Sequence, residues 1–247
     1  MIWTIATKEL KSLFGSPLAW ITLAILQFIL AWLFLAQIDA FLAVQPQLAQ
    51  LANPPGATEV ITVPLFGAAA IVLLMVTPLF SMRLIAEERR NQTLPLLMSA
   101  PVSLGHIVVG KFLGLMLFLG LVIGLTATMA LSLYSGGTLD LGLVLANLLG
   151  LGLLAAAFAA AGIYFSSLTA HPAVAAIACL GALLGSWIVA IPAQEPDSAL
   201  HYLSLLKHFE SFNKGLVDTG DVAYFLLVAV AFLVLAVRRL DMDRLQG

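Results

Sequence analysis

Apolar residues in this chain come in blocks of membrane-spanning length, parted by short polar stretches. Ser12 to Ile38, Val60 to Met82 and Phe112 to Leu139 contain no Asp, Glu, Lys or Arg, and neither does Leu141 to Gln194. A helix needs about 20 residues to cross the hydrocarbon core. The last block is therefore long enough for two passes, broken near Thr169, Ala170, His171 and Pro172. Val222 to Val237 is shorter and becomes adequate once its interfacial flanks are counted. The pattern predicts an all-α polytopic membrane protein, a single transmembrane domain over 1–247. Its six transmembrane helices fall near 18–38, 61–82, 107–134, 141–168, 173–192 and 221–238.

The segments between the blocks have patterns of their own. Over 2–14, Ile2, Ile5, Leu10, Leu13 and Phe14 share one helical face, with Lys8, Glu9 and Lys11 turned to water. That spacing predicts an N-terminal helix lying along the membrane interface, turned into the first span by Gly15, Ser16 and Pro17. Asp39 to Glu59 holds Pro46 and the run Asn53, Pro54, Pro55, Gly56, and reads as an external loop. The Ala/Gly-rich run Gly150 to Gly162 permits close helix packing, within a subunit or between two. The segment 193–220 is amphipathic from His201 to Phe212. It predicts short external helices, interfacial or re-entrant, with Tyr202, His208, Phe209 and Phe212 as candidates for an external gate.

Composition agrees: the 247 residues are 62% hydrophobic and 10% charged, outside the soluble globular range. The first apolar run exceeds the core of a secretory signal, so it reads as a retained helix. Charge adds an orientation. Lys8, Lys11, Arg83, Arg89, Arg90, Lys111, Arg238, Arg239 and Arg244 fall on one side of the predicted topology, and only Lys207 and Lys214 on the other. By the positive-inside rule both termini are cytoplasmic. The net charge of −2 comes with no basic face for nucleic acid. The single cysteine, Cys179, rules out a disulfide framework and reads as a small buried hydrophobe.

Candidate chemistry is sparse. Gly105 to Lys111 has the spacing of a phosphate-binding loop, but Phe112 stands where a hydroxyl should reach Mg²⁺ and no strand precedes it. His201 and His208 are seven apart, whereas metal pairs prefer three or four, and no further ligand completes a set. No predicted span has a charge at its centre, as ion-driven transporters require. The sequence therefore predicts no catalytic residue, no metal site and no cofactor in this chain. It must be passive, or driven by a partner.

One polar island remains, from Met82 to Lys111. Arg83, Glu87, Glu88, Arg89, Arg90, Asn91, Gln92 and Thr93 form a short helix-like stretch that lipid would not tolerate. Leu94, Pro95, Leu96, Leu97, Met98, Ser99, Ala100, Pro101, Val102 and Ser103 follow it, then Gly110, Lys111 and Phe112. This order resembles the membrane subunit of ABC-2-type transporters. The later Leu203, Ser204, Phe209, Phe212, Gly215 to Asp218 and Asp221 to Phe225 resemble the branch holding gliding-motility and nitrous-oxide-reductase-maturation permeases. Pro95 departs from the acidic or polar residue common there.

The resemblance implies that 83–103 is a coupling loop whose helix docks on a separate cytoplasmic ABC ATPase, which binds Mg-ATP. Glu87, Glu88, Arg89 and Arg90 would make the polar contacts, and Leu94, Leu96 and Leu97 the apolar ones. The N-terminal helix, with Lys8, Glu9 and Lys11, would brace the loop. It further implies a second permease subunit, identical or homologous, an accessory membrane or periplasmic protein, and a place in the bacterial inner membrane. Export is one expected outcome of such coupling. Mechanotransmission to a partner without cargo is another; a passive scaffold or channel subunit, with no coupling, is the third reading and would leave the island from Met82 to Ser103 unexplained.

Overall fold

A computed structural model of the chain describes residues 1–48, 56–94, 102–135, 139–188 and 204–246. Every regular element in them is helical: α1 (Ile2–Phe14), α2 (Pro17–Leu48), α3 (Ala57–Ser81), α4 (Arg83–Arg90), α5 (Leu104–Ser132) with a 3₁₀ turn at Leu133–Ser135, α6 (Leu141–Leu168), α7 (Pro172–Ile188), α8 (Leu205–Asn213) and α9 (Thr219–Gln246). Five helical stretches are long and apolar enough to cross a membrane: Pro17–Gln47, Ala57–Arg90, Leu104–Ser132, Leu141–Leu168 and Thr219–Arg244. The fifth predicted span corresponds to α7, whose 17 described residues fall short of that length.

The bundle is built around α6. In its most apolar window 67% of residues are buried, against 28% for α2 and 22% for the last helix. Small residues make this possible. Ala155, Ala157, Ala159, Ala160 and Ala161 are all buried, and the glycines let neighbouring chains touch the backbone. A Cβ at Gly150 would stand 2.5 Å from Phe212 Cβ, and one at Gly162 2.2 Å from Ser81 Oγ. The Ala/Gly run thus seats α8 at one end of α6 and the junction of α3 with α4 at the other, within one subunit. Among lipid tails such packing takes the place of the hydrophobic drive.

Polar residues fix the ends. Asp140 caps α6 by accepting from Leu143 N at 3.1 Å, and its own N–H donates to Thr58 Oγ1 of α3. Ser103 and Ser204 cap α5 and α8.

Two boundaries and the facing of one residue differ from the sequence pattern. α2 continues through Asp39 and Pro46 to Leu48, where a loop was predicted. Ile38 and Phe41 keep the helical stripe against the core, and Pro46 forfeits only one backbone bond so near the helix end. The final helix runs past 238 to Gln246, because Leu240 is buried and returns the charged tail to the bundle. In α1, Glu9 is buried instead of facing water.

Candidate functional site

The polar island forms α4, which follows α3 after a one-residue break at Met82. Its apolar face is Leu84, Ile85 and Ala86, all buried. An eight-residue helix is far too short to persist alone. Here a neighbour satisfies its first turn: Ser166 Oγ of α6 accepts from Ile85 N at 3.1 Å and Ala86 N at 3.0 Å, and donates to Met82 O at 2.9 Å. The other end closes on itself. Gln92 N donates to Arg89 O and Thr93 N to Glu88 O, a Schellman pattern with Gln92 at φ 57° in the left-handed position usually held by glycine.

Two ionic clusters tie α4 to the bundle. In the first, Lys111 of α5 is only 2% exposed, and its Nζ donates to Glu9 Oε1 at 2.9 Å and Glu88 Oε1 at 2.7 Å. One ammonium so joins α1, α4 and α5. Lys8, exposed, adds a looser contact 3.9 Å from Glu88. Glycine makes the joint possible. A Cβ at Gly110 would stand 2.7 Å from Ile5 Cβ, and one at Gly114 2.8 Å from Glu9 Cβ, so α1 lies against α5 on either side of Lys111. Phe14 and Trp20 complete the seat of α1, Trp20 Nε1 donating to Phe14 O at 2.9 Å while the Phe14 ring packs on Phe118.

In the second cluster Arg89 reaches the opposite way. Its Nη2 donates to Ser167 O of α6 at 2.8 Å and pairs with Asp243 of α9. Asp243 also stands 3.5 Å from Arg239 on its own helix. Both clusters lie at the end of the bundle where α1, the start of α5, the end of α6 and the last turns of α9 meet.

The predicted coupling residues, taken with Arg83 of the same island and Lys11 of the bracing helix, divide into two groups. Glu88 and Arg89 point into their own subunit, and Leu94 is buried in the core. Arg83 and Glu87 pair with each other at 3.1 Å with 44% and 42% of their side chains exposed. They join Arg90 and Lys11 as the solvent-facing members. A cleft of about 280 Å³ separates α1 from α4, walled by Lys8, Ser12, Arg83, Glu87, Asn91 and Thr93. Glu88 Oε2 and Arg89 Nε are buried without a hydrogen-bond partner among the described residues. Leu96, Leu97 and Pro95 lie outside the described residues.

At the far end, the gate candidates form a wedge. His208 stacks on Tyr224 at 3.9 Å and meets Asp221 Oδ1 at 2.6 Å, while Phe209 and Phe212 are buried against the bundle. Tyr202 lies outside the described residues.

Sequence reasoning missed Lys111 as a link, along with Ser166, Ser167, Asp243 and Arg239. A signal existed for each: a lone cation two turns inside an apolar helix, adjacent serines ending an Ala/Gly run, and an acid among basic residues after the last span. The near phosphate-loop spacing around Gly110 and Lys111 has a packing explanation, because it sets a close helix crossing on either side of a buried amine.

The description "ABC-2 family transporter protein" belongs to a family model that matches residues 3–244. No curated protein matches the chain.

Proposed function

The chain belongs to the ABC-2 family of transporter proteins, and from that membership we propose that it is the permease subunit through which a separate ATPase drives movement across, or work at, a membrane. Mg-ATP is bound and hydrolysed on the partner. This chain takes up the resulting motion and passes it to its spans. The family implies an ABC ATPase and typically a second permease.

The observation that carries the reading is the double attachment of α4. A helix with one exposed polar edge (Arg83, Glu87, Arg90) is held on its inner side by ions reaching α1, α5, α6 and α9. A push on that edge reaches four helices through short, directional contacts. A loop serving only solvation needs none of them. We read α7 as the sixth pass, the span predicted over 173–192. That puts both termini on the ATPase side, consistent with the excess of basic residues there, and in a bacterial cell with the cytoplasm.

Charge reversal at the exposed edge tests this. Glu87→Lys with Arg90→Glu leaves the two buried clusters intact. The expected result is loss of ATPase co-purification by the tagged permease, with unchanged expression and monodispersity. An ATPase that still co-purifies in parental amounts would refute docking on α4.

A further inference from the structure

A groove of about 500 Å³ runs between α5 and α9 at the end of the bundle that carries α4. Its walls are Val108 and Val109 on one helix and Val230, Leu233, Val234 and Val237 on the other, and Arg238 stands at its mouth. From this arrangement we propose a specific binding site for one anionic phospholipid of the leaflet on the α4 side. An acyl chain lies along the valines, and the headgroup phosphate accepts from Arg238.

Length, shape and charge each support that occupant. From Arg238 to Val230 is eight residues, or about 12 Å of helix at 1.5 Å per residue. One leaflet of a hydrocarbon core about 30 Å thick is about 15 Å deep. The groove thus spans most of one leaflet, from the interface to short of the midplane. Valine side chains branch at Cβ and end there, so they leave a channel beside the helix that longer side chains would fill. Val230 and Val234 are about half exposed, and β-branching holds them in one rotamer, giving a firm wall.

Arg238 is exposed and makes no ion pair among the described residues, while its neighbour Arg239 is engaged with Asp243. An arginine fork at the membrane surface matches phosphate oxygens with two parallel donors. A second copy of the chain is a poorer occupant. Seated by its own α9 it would bring a second Arg238 to the level of the first, with only Asp241, a turn beyond the valines, to answer the pair.

The test uses the purified full-length chain in detergent, titrated with phosphatidylglycerol or phosphatidylcholine of one chain length and read by native mass spectrometry. The parent should prefer phosphatidylglycerol about fivefold, the equivalent of roughly 1 kcal/mol for one basic residue against an anionic lipid. Arg238→Gln should abolish the preference and Arg238→Lys should restore much of it. Val234→Trp, which fills the groove from a lipid-facing position, should reduce retention of both lipids. Equal retention of phosphatidylglycerol by the parent and Arg238→Gln would overturn the headgroup contact. Unchanged retention by Val234→Trp would overturn the acyl site. Val234→Cys tests the other occupant in native membranes, since Cys179 is buried. Stoichiometric disulfide dimers would mean that a second copy fills the groove, and monomers are expected. None of these results depends on ATPase docking, so failure here and failure of the coupling role are separable.

Discussion

Lys111→Met removes one charge and keeps nearly the whole stem, isolating the ionic joint from packing. In the parent the ammonium sits 2.9 Å from Glu9 and 2.7 Å from Glu88, whose side chains are 11% and 19% exposed. The substitution leaves two mostly buried carboxylates with only the solvated Lys8, 3.7 and 3.9 Å away, to answer them. Removing one partner of a buried ion pair costs about 3–5 kcal/mol. A chain of this size loses roughly 2–4 °C of Tm per kcal/mol, so a fall on the order of 10 °C is expected. Arg83→Ala is the control: its partner Glu87 is about as exposed as itself, and such i,i+4 pairs contribute about 0.3–0.5 kcal/mol. Thermal melts in detergent, followed by intrinsic fluorescence, read both variants. Glu9→Gln with Glu88→Gln in the Lys111→Met background should recover most of the loss, because a neutral amide has no unpaired charge to bury. If Lys111→Met melts within about 2 °C of the parent, or the added glutamines recover nothing, the joint is not the ionic lock inferred.

Two further outcomes follow from the same geometry. Arg89→Ala and Asp243→Asn should be strongly non-additive in melting, with a coupling energy of about 1–3 kcal/mol, since each removes the same part-buried charged bond; additive effects would mean that α9 does not hold α4. Gly162→Ala should destabilise by about 1–3 kcal/mol through overpacking, because its Cβ would fall 2.5 Å from Ser81 Cβ, and Ser81→Gly in the same chain should relieve it.

Much of the fold could be read from hydrophobic pattern alone, because in lipid each long apolar block has to be a helix. The start of α2, the end of α3, most of α5, and α6 follow that logic closely. The errors fall where tertiary contact overrides local composition. Asp39 and Pro46 looked like a loop because turn residues follow them, yet Ile38 and Phe41 had core to pack on. Arg238 to Arg244 lie beyond the last predicted span, yet Leu240 is buried in the core and Asp243 pairs with Arg89, 154 residues upstream. At the site, residue types on α4 marked it as special but could not say which of them face inward. Glu88 and Arg89 turn into the bundle because their partners, Lys111, Ser167 and Asp243, come from three other helices, and no local pattern records such a meeting. Glu9 is the same case in miniature: polar by type, it is drawn inward by an amine that arrives 102 residues later.

The bond set of Ser166 makes the α4 loop a poor module. Its first-turn N–H groups are closed by a side chain some 80 residues downstream, so a peptide cut from 82–94 has lost the acceptor that completes the helix. Grafting the loop into a related permease, a natural route to exchanging ATPase partners, would transplant the exposed recognition edge without its internal anchor. A transferable unit has to include the serine pair at the end of α6, and Lys111 and Asp243 with it. Partner choice and the inner architecture of the subunit are therefore expected to change together, not one loop at a time.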